Sequence, residues 1–336
     1  MKDFRSRLSR MLSPFSNIHR QGDLPDIFIF SAPRTGSTFL MELLAAQPGM
    51  KSINEPFSMN YAHTRRELGV DNWRDAVLLP NRREVYGKYV DRLRHGRIND
   101  FKSPFWGEYG RFYTTRNTFK ILHAGEDMIE WFEEHFNGLI VLLIRHPVPT
   151  VLSHKQHPRV DYFLQQPEMR AKFSPAHIAF AERILASDNQ YDRGVLDWCL
   201  QYYPAFINGV NPRWTVISYE DLSVEANGAV RFLEQRLRLS PVKNLSKLIG
   251  TPSGSTVQSD PSTVAFFNSG KATSDRQFLI EKWRQDLAPG LEKRTFEILE
   301  GMGLDIYSYG SLFPAEKYRI PAHLRPSDQP SRQNAR

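Results

Sequence analysis

The residues with the most chemical promise lie at positions 31–38, SAPRTGST, where one arginine and one glycine stand among four hydroxyl side chains. Gly36 can adopt backbone angles closed to other residues, and Ser37 and Thr38 set hydrogen-bonding hydroxyls near Arg34. The chemistry this composition suits is the holding of a phosphate or a similar anion. The rival reading is an ordinary strand-to-helix turn rich in small residues. Laid on the nucleotide-triphosphate loop G-x-x-x-x-G-K-[ST], the stretch gives Ser31, Gly36, Ser37 and Thr38, so a serine stands where the phosphate-binding lysine belongs. Arg34 is the cation left within the loop.

Two further sets of residues invite the same question. Glu55 follows a short apolar stretch in MKSINEPF, and its functional role would be general base toward an incoming hydroxyl. A surface turn, or an ion pair with Arg34, is the alternative. Arg145 ends the apolar run LIVLLI and Ser153 lies in the helical pattern behind it. A planar guanidinium with a hydroxyl beyond it can grip a phosphate. His146 and His154 invite a base role, but histidines near a strand end are more often structural. With no carboxylate at a recognisable spacing they make no metal site by sequence. Lys102 and Ser103, within FKSPFWGEYGRFYTTR, are weaker candidates for contact with a transferred group. The aromatic residues around them could line an acceptor pocket or pack beneath a long loop.

These residues need positioning by strands and helices, and the pattern supplies both. Ile27–Phe30 and Leu139–Ile144 are unbroken apolar runs, as expected of strands buried on both faces of a parallel sheet. Lys51–Ile53, TFKILH and RWTVISY read as further short strands. Leu40, Leu43 and Leu44 recur at helical spacing until Pro48 and Gly49 stop the helix. Strand, tight loop and helix together aim backbone N–H groups and a helix dipole at an anion. Further helical patterns are AGEDMIEWFEEHF, PAHIAFAERILA, GVLDWCLQYYPAFI and VEANGAVRFLEQRLRL. The alternation predicts an α/β, three-layer, P-loop-like fold: a central parallel sheet of about four or five strands flanked by helices.

The 336 residues suffice for one large domain, placed at 24–313 with an insertion at about 58–118. Residues 1–23 read as a basic flexible tail, open to peripheral contact with a membrane, and 314–336 as a flexible C-terminal tail rich in Pro, Ser, Arg and Gln. A net charge of +7 favours anionic ligands without choosing among them. The single cysteine, Cys199, excludes an intramolecular disulfide and fits a reducing, cytoplasmic compartment. It reads as buried packing. No apolar stretch has the length of a membrane span, and no nucleic acid partner is expected.

PRTGST at 33–38, LLIRHPVPTVLSH at 142–154 and WTVISYEDL at 214–222 resemble, in that order, the sulfotransferase family. The resemblance implies 3′-phosphoadenosine-5′-phosphosulfate as donor. It implies that Arg34, Thr35, Gly36, Ser37 and Thr38 hold the 5′-phosphosulfate, and that Arg145 and Ser153 hold the 3′-phosphate. Tyr219–Leu222 matches a family hallmark of structural rather than catalytic character. EPF after QPGMKSIN is similar to the carbohydrate and tyrosyl-protein branches, which implies Glu55 as catalytic base, beside Arg34. SGKATSDRQF resembles the family's closing loop only loosely and offers Lys271 as a phosphate contact. The implied activity is sulfuryl transfer to a carbohydrate, lipid or small-molecule hydroxyl. A sulfonate carries less charge than a terminal phosphate, so no metal is required. The alternatives are a P-loop kinase and a non-catalytic nucleotide- or glycan-binding module.

Overall fold

The computed structural model describes residues 18–98, 113–123, 126–154, 157, 159–241, 248–270, 276–285 and 287–325. Its centre is a five-stranded, wholly parallel sheet: β1 (Ile27–Ser31), β2 (Met50–Asn54), β3 (Arg116–Ile121), β4 (Leu139–Ile144) and β5 (Thr215–Ser218), in the spatial order β2-β3-β1-β4-β5. Phe28 of β1 pairs with Phe119 on one side and Ile140 on the other, which sets the register of the three middle strands.

Alternation along β1 divides its side chains between two cores. Phe28 and Phe30 join Phe119, Ile140 and Leu142, and meet Phe132 and Phe136 of α5 (Ile129–Phe136) and Leu196 and Leu200 of α8 (Gln190–Phe206). Phe28 stacks on Phe119 at 4.8 Å, and Phe30 meets Phe132 edge-on at 5.4 Å. Ile27 and Ile29 join Val141, Leu143 and Ile217 on the other face. There they pack on Leu40, Leu43 and Leu44 of α1 (Ser37–Ala45) and on Ala229 and Leu233 of α10 (Ala226–Leu237). With apolar cover on both faces, unbroken apolar strands are what the architecture demands. The result is the expected three-layer α/β fold with its P-loop-like strand, loop and helix at β1 and α1.

The remaining elements refine the expected boundaries. Within 58–118, α2 (Ala62–Leu68), α3 (Trp73–Val77) and α4 (Arg82–Arg94) pack into the first core, with Tyr86 stacked on Phe57 at 4.4 Å. Residues 99–112, which include Lys102 and Ser103, lie outside the described residues, as do 1–17 and 326–336. Two expectations of flexible tails need correction. Ile18–His19 pairs with Tyr113–Thr114, and the His19 ring lies 2.9 Å from Thr114 Oγ1. Pro314–Arg325 is packed: Tyr318, Ile320 and Leu324 are buried, Arg319 pairs with Asp221, and the Ile320 N–H donates to Asp221 Oδ2. Sparse apolar residues in a polar stretch sufficed because Asp221 supplied a buried anchor. Among the described residues, no helix is long and apolar enough to cross a membrane.

Candidate active site

In the order β2-β3-β1-β4-β5, the connections leaving β1 and β4 run in opposite directions, so a crevice opens beyond the carboxyl ends of these two strands. A cavity of about 630 Å³ occupies this place. Its lining includes Arg34, Gly36, Ser37 and Thr38 from the loop after β1 and the start of α1, Glu55 from the turn after β2, Arg145 just beyond β4, Ser153 from α6 (Pro147–Ser153), and Tyr219. Residues far apart in sequence therefore share one wall. Thr35 is the exception: it is buried beneath the loop and its hydroxyl donates to the Ala32 carbonyl at 2.8 Å. Lys271 lies outside the described residues.

The loop is held from below. The Ala32 N–H donates to the Tyr202 hydroxyl (3.0 Å), which donates to the Leu143 carbonyl (2.8 Å), so α8 ties the end of β1 to β4. Gly36 sits at φ 85°, and a Cβ there would lie 2.4 Å from the Tyr219 ring. Space and backbone angle thus both require glycine. The first N–H groups of α1 have no intrahelical partner and carry the positive end of its dipole. The Arg145 guanidinium lies 4.1 Å from the Tyr219 ring centroid and donates to the Arg34 carbonyl at 2.7 Å. Arg145 Nε is buried without a hydrogen-bond partner. The Ser153 hydroxyl turns back on its own helix, donating to Pro149 and Thr150 carbonyls, and would have to rotate to meet an anion.

Arg34 and Glu55 are two of only five described non-glycine residues with positive φ, at 67° and 49°. Such backbone costs on the order of 1–3 kcal/mol and persists only where the surroundings impose it. At Glu55 they do: its N–H donates to Lys120 O, and its carbonyl accepts from the Ser58 N–H, both at 2.9 Å. The side chain then meets Lys120, whose ammonium donates to Glu55 Oε1 (2.9 Å) and to Thr38 Oγ1 (3.2 Å). Lys120 also lines the cavity, and nothing in its local sequence singled it out. From β3, which lies between β1 and β2, it brings to Thr38 the ammonium that the loop itself lacks.

His123, just beyond the end of β3, also lines the cavity; its Nδ1 is buried without a partner and its ring meets Trp73 edge-on at 4.9 Å. Burial, helped by the charges of Arg159, His154 and Lys120, pushes it well below the ordinary imidazole range. Arg276 is the second missed cation: it lines the cavity near Phe267, and its Nε and Nη1 are buried with no partner. Buried guanidinium N–H groups without an acceptor are costly.

The Tyr219–Leu222 run positions rather than reacts. Tyr219 fills the space beside Gly36, and Glu220 accepts from the His146 N–H (3.0 Å) and the Tyr307 hydroxyl (2.7 Å). Burial raises Glu220 to about 7. Asp221 anchors the C-terminal segment. His146 is not part of the cavity lining: it is buried, stacked on Trp283 at 4.8 Å, and lowered by burial and by Arg284 and Arg145 to about 3.

Residues 25–241 match the family model described as Sulfotransferase family. The chain belongs to the sulfotransferase family. The matched span covers β1 to α10, so the cavity-lining loops after β1, β2 and β4 all fall within it. Among solved structures, this sulfotransferase is similar to the sulfotransferase domain from the Synechococcus PCC 7002 olefin synthase: 18% identity, 86% of this chain and 98% of that one, TM-score 0.44. It is also similar to mouse sulfotransferase SULT7A1 complexed with PAP: 15% identity, 88% and 90% of the two chains, TM-score 0.38. No curated protein matches the sequence significantly.

Proposed function

We propose that this sulfotransferase moves the sulfuryl group of 3′-phosphoadenosine-5′-phosphosulfate to a hydroxyl of a carbohydrate or other hydroxylated acceptor, with Glu55 as general base. The observation that carries the reading is the shared cavity, in which Arg34, Lys120, Arg145 and Arg276 line the same space as the N-terminus of α1, with the Glu55 carboxylate beside Lys120. The orphaned Arg145 Nε and Arg276 Nε and Nη1 fit a ligand with more than one phosphate. Arg34 and the N–H groups at 36–38 would hold the 5′ side, with Arg145, Ser153 and Arg276 on the 3′-phosphate. Phe39 and Phe267 offer flat apolar faces to a base.

When bound, the donor supplies a sulfur centre with a phosphate leaving group. Glu55 takes the acceptor's proton as the acceptor oxygen bonds to sulfur and the bond from sulfur to the phosphate oxygen breaks. The products are a sulfate ester and adenosine 3′,5′-bisphosphate. Arg34 stabilises the charge shifting to the leaving oxygen, and Lys120 the charge on the transferring sulfonate. These two side-chain cations supply the counter-charge that the transfer needs. The Glu55 base is what favours the carbohydrate or tyrosyl-protein type. A second base, His123, is favoured by its unpartnered Nδ1 at the same cavity.

Transfer of radiolabelled sulfonate from the donor to panels of sugars, lipid alcohols and phenols tests the reading. Glu55→Gln should lower transfer about 10²–10⁴-fold, the usual contribution of a positioned base, with bisphosphate binding near wild type. Retained turnover in Glu55→Gln with loss in His123→Asn would move the base to His123. Donor binding without transfer to any acceptor would support a non-catalytic module instead.

A further inference from the structure

Beside the crevice, and unused by the chemistry above, two imidazoles and a carboxylate come together. His154 follows Ser153 at the end of α6, His157 lies three residues on, and Asp197 stands in the middle of α8. One ligating atom of each lies within 4.8 Å of the other two. His157 Nδ1 is 2.9 Å from Asp197 Oδ2, and the His154 and His157 rings meet edge-on at 4.7 Å.

Asp197 is only 3% exposed, and its Oδ1 is buried with no hydrogen-bond partner, although Gln201 donates to Oδ2. A buried carboxylate oxygen with nothing to accept is expensive and calls for an occupant. The His154 side chain makes no hydrogen bond among the described residues. Backbone gives way at the same point: a Cβ on Gly194 would lie 2.9 Å from His157 Nε2, so glycine there leaves room for the imidazole.

We propose that His154, His157 and Asp197 form a zinc site that ties the end of α6, and with it Ser153, to α8. Two imidazole nitrogens and one carboxylate oxygen are a donor set that zinc accepts, with water in the fourth position. Mg²⁺ and Ca²⁺ favour all-oxygen ligands. A tetrahedral ion about 2.1 Å from each ligand needs donor atoms about 3.4 Å apart, so closing the site takes side-chain movement on the order of 1 Å. Arg34 and Arg159 lie near enough to act on His154 electrostatically, which moderates the affinity expected for a cation. Sequence spacing concealed the site because its carboxylate lies on another helix.

The test is titration of chelator-stripped, full-length protein with ZnCl₂ and separately with MgCl₂, by calorimetry, with melting curves run alongside. One Zn²⁺ per chain is expected, with a raised melting temperature and no comparable response to Mg²⁺. Asp197→Asn and His154→Gln should each weaken zinc binding at least about 10-fold, the loss that removing even an outer-shell partner brings. His154→Gln keeps the test decisive if Asp197→Asn fails to fold, because the His154 ring has no hydrogen bond to lose among the described residues. Absence of stoichiometric zinc binding, or affinity unchanged in folded His154→Gln, would overturn the proposal.

Discussion

Replacing Arg276 with methionine removes a guanidinium whose Nε and Nη1 are buried and unpaired, while keeping an apolar stem beside Phe267. Burial lowers the Arg276 pKa, the signature of a charge held at a cost. If a nucleotide phosphate relieves that cost, the charged hydrogen bonds gained are worth about 1.5–3 kcal/mol. Their loss should weaken adenosine 3′,5′-bisphosphate roughly 10- to 150-fold. Adenosine 5′-phosphate, which lacks the 3′ group, should lose far less. The ligand-free protein should melt no lower than wild type, because a desolvated charge has been removed rather than a bond broken. Calorimetric titration of both nucleotides at one fixed ionic strength reads the affinities, and scanning calorimetry reads the melting temperature. Unchanged bisphosphate affinity, or a lowered melting temperature with affinity intact, would refute the reasoning and make Arg276 a packing residue.

Lys120→Met separates the sulfonate from the phosphates. The bisphosphate carries no sulfonate, so its affinity should stay near wild type while transfer falls about 10²–10³-fold, the loss seen when one transition-state donor is removed. Equal damage to bisphosphate binding would place Lys120 on a phosphate. A third expectation concerns acid. The folded-state pKa of His146, about 3, is depressed below the ordinary 6.5, so the unfolded chain binds a proton that the folded chain refuses. Stability is therefore lost as pH falls below 6.5, by about 2–3 kcal/mol between pH 6.5 and 4.5 from this group. His146→Phe should flatten that part of the curve in denaturant unfolding at the two pH values, and parallel curves for variant and wild type would contradict it.

Much of this architecture is legible in the chain. Apolar runs at Ile27–Phe30 and Leu139–Ile144 have to be doubly covered strands, and the helices of the second half follow from simple periodicity. Gly36 is legible as a loop glycine, though Tyr219, whose ring excludes a Cβ there, comes from nearly two hundred residues away. Lys120 is not legible. In TFKILH it is one lysine in a strand, and only the order β2-β3-β1 sets it between Thr38 and Glu55. Arg276 escapes for a similar reason, since its significance lies in lacking a partner in three dimensions. The packed segment 314–325 escapes because its composition is polar and its anchor, Asp221, belongs to another element. Long-range pairing, rather than local propensity, decides each of these cases.

The central claim is that the cavity is built for a 3′-phosphorylated adenosine nucleotide. Its most direct test is metal-free calorimetric titration with adenosine 3′,5′-bisphosphate, beside adenosine 5′-phosphate and ATP with Mg²⁺. The account predicts tight bisphosphate binding, adenosine 5′-phosphate at least about 10-fold weaker for want of one charged contact, and no comparable binding of ATP with Mg²⁺. Tight ATP binding with none of the bisphosphate would contradict it and point to phosphoryl transfer instead.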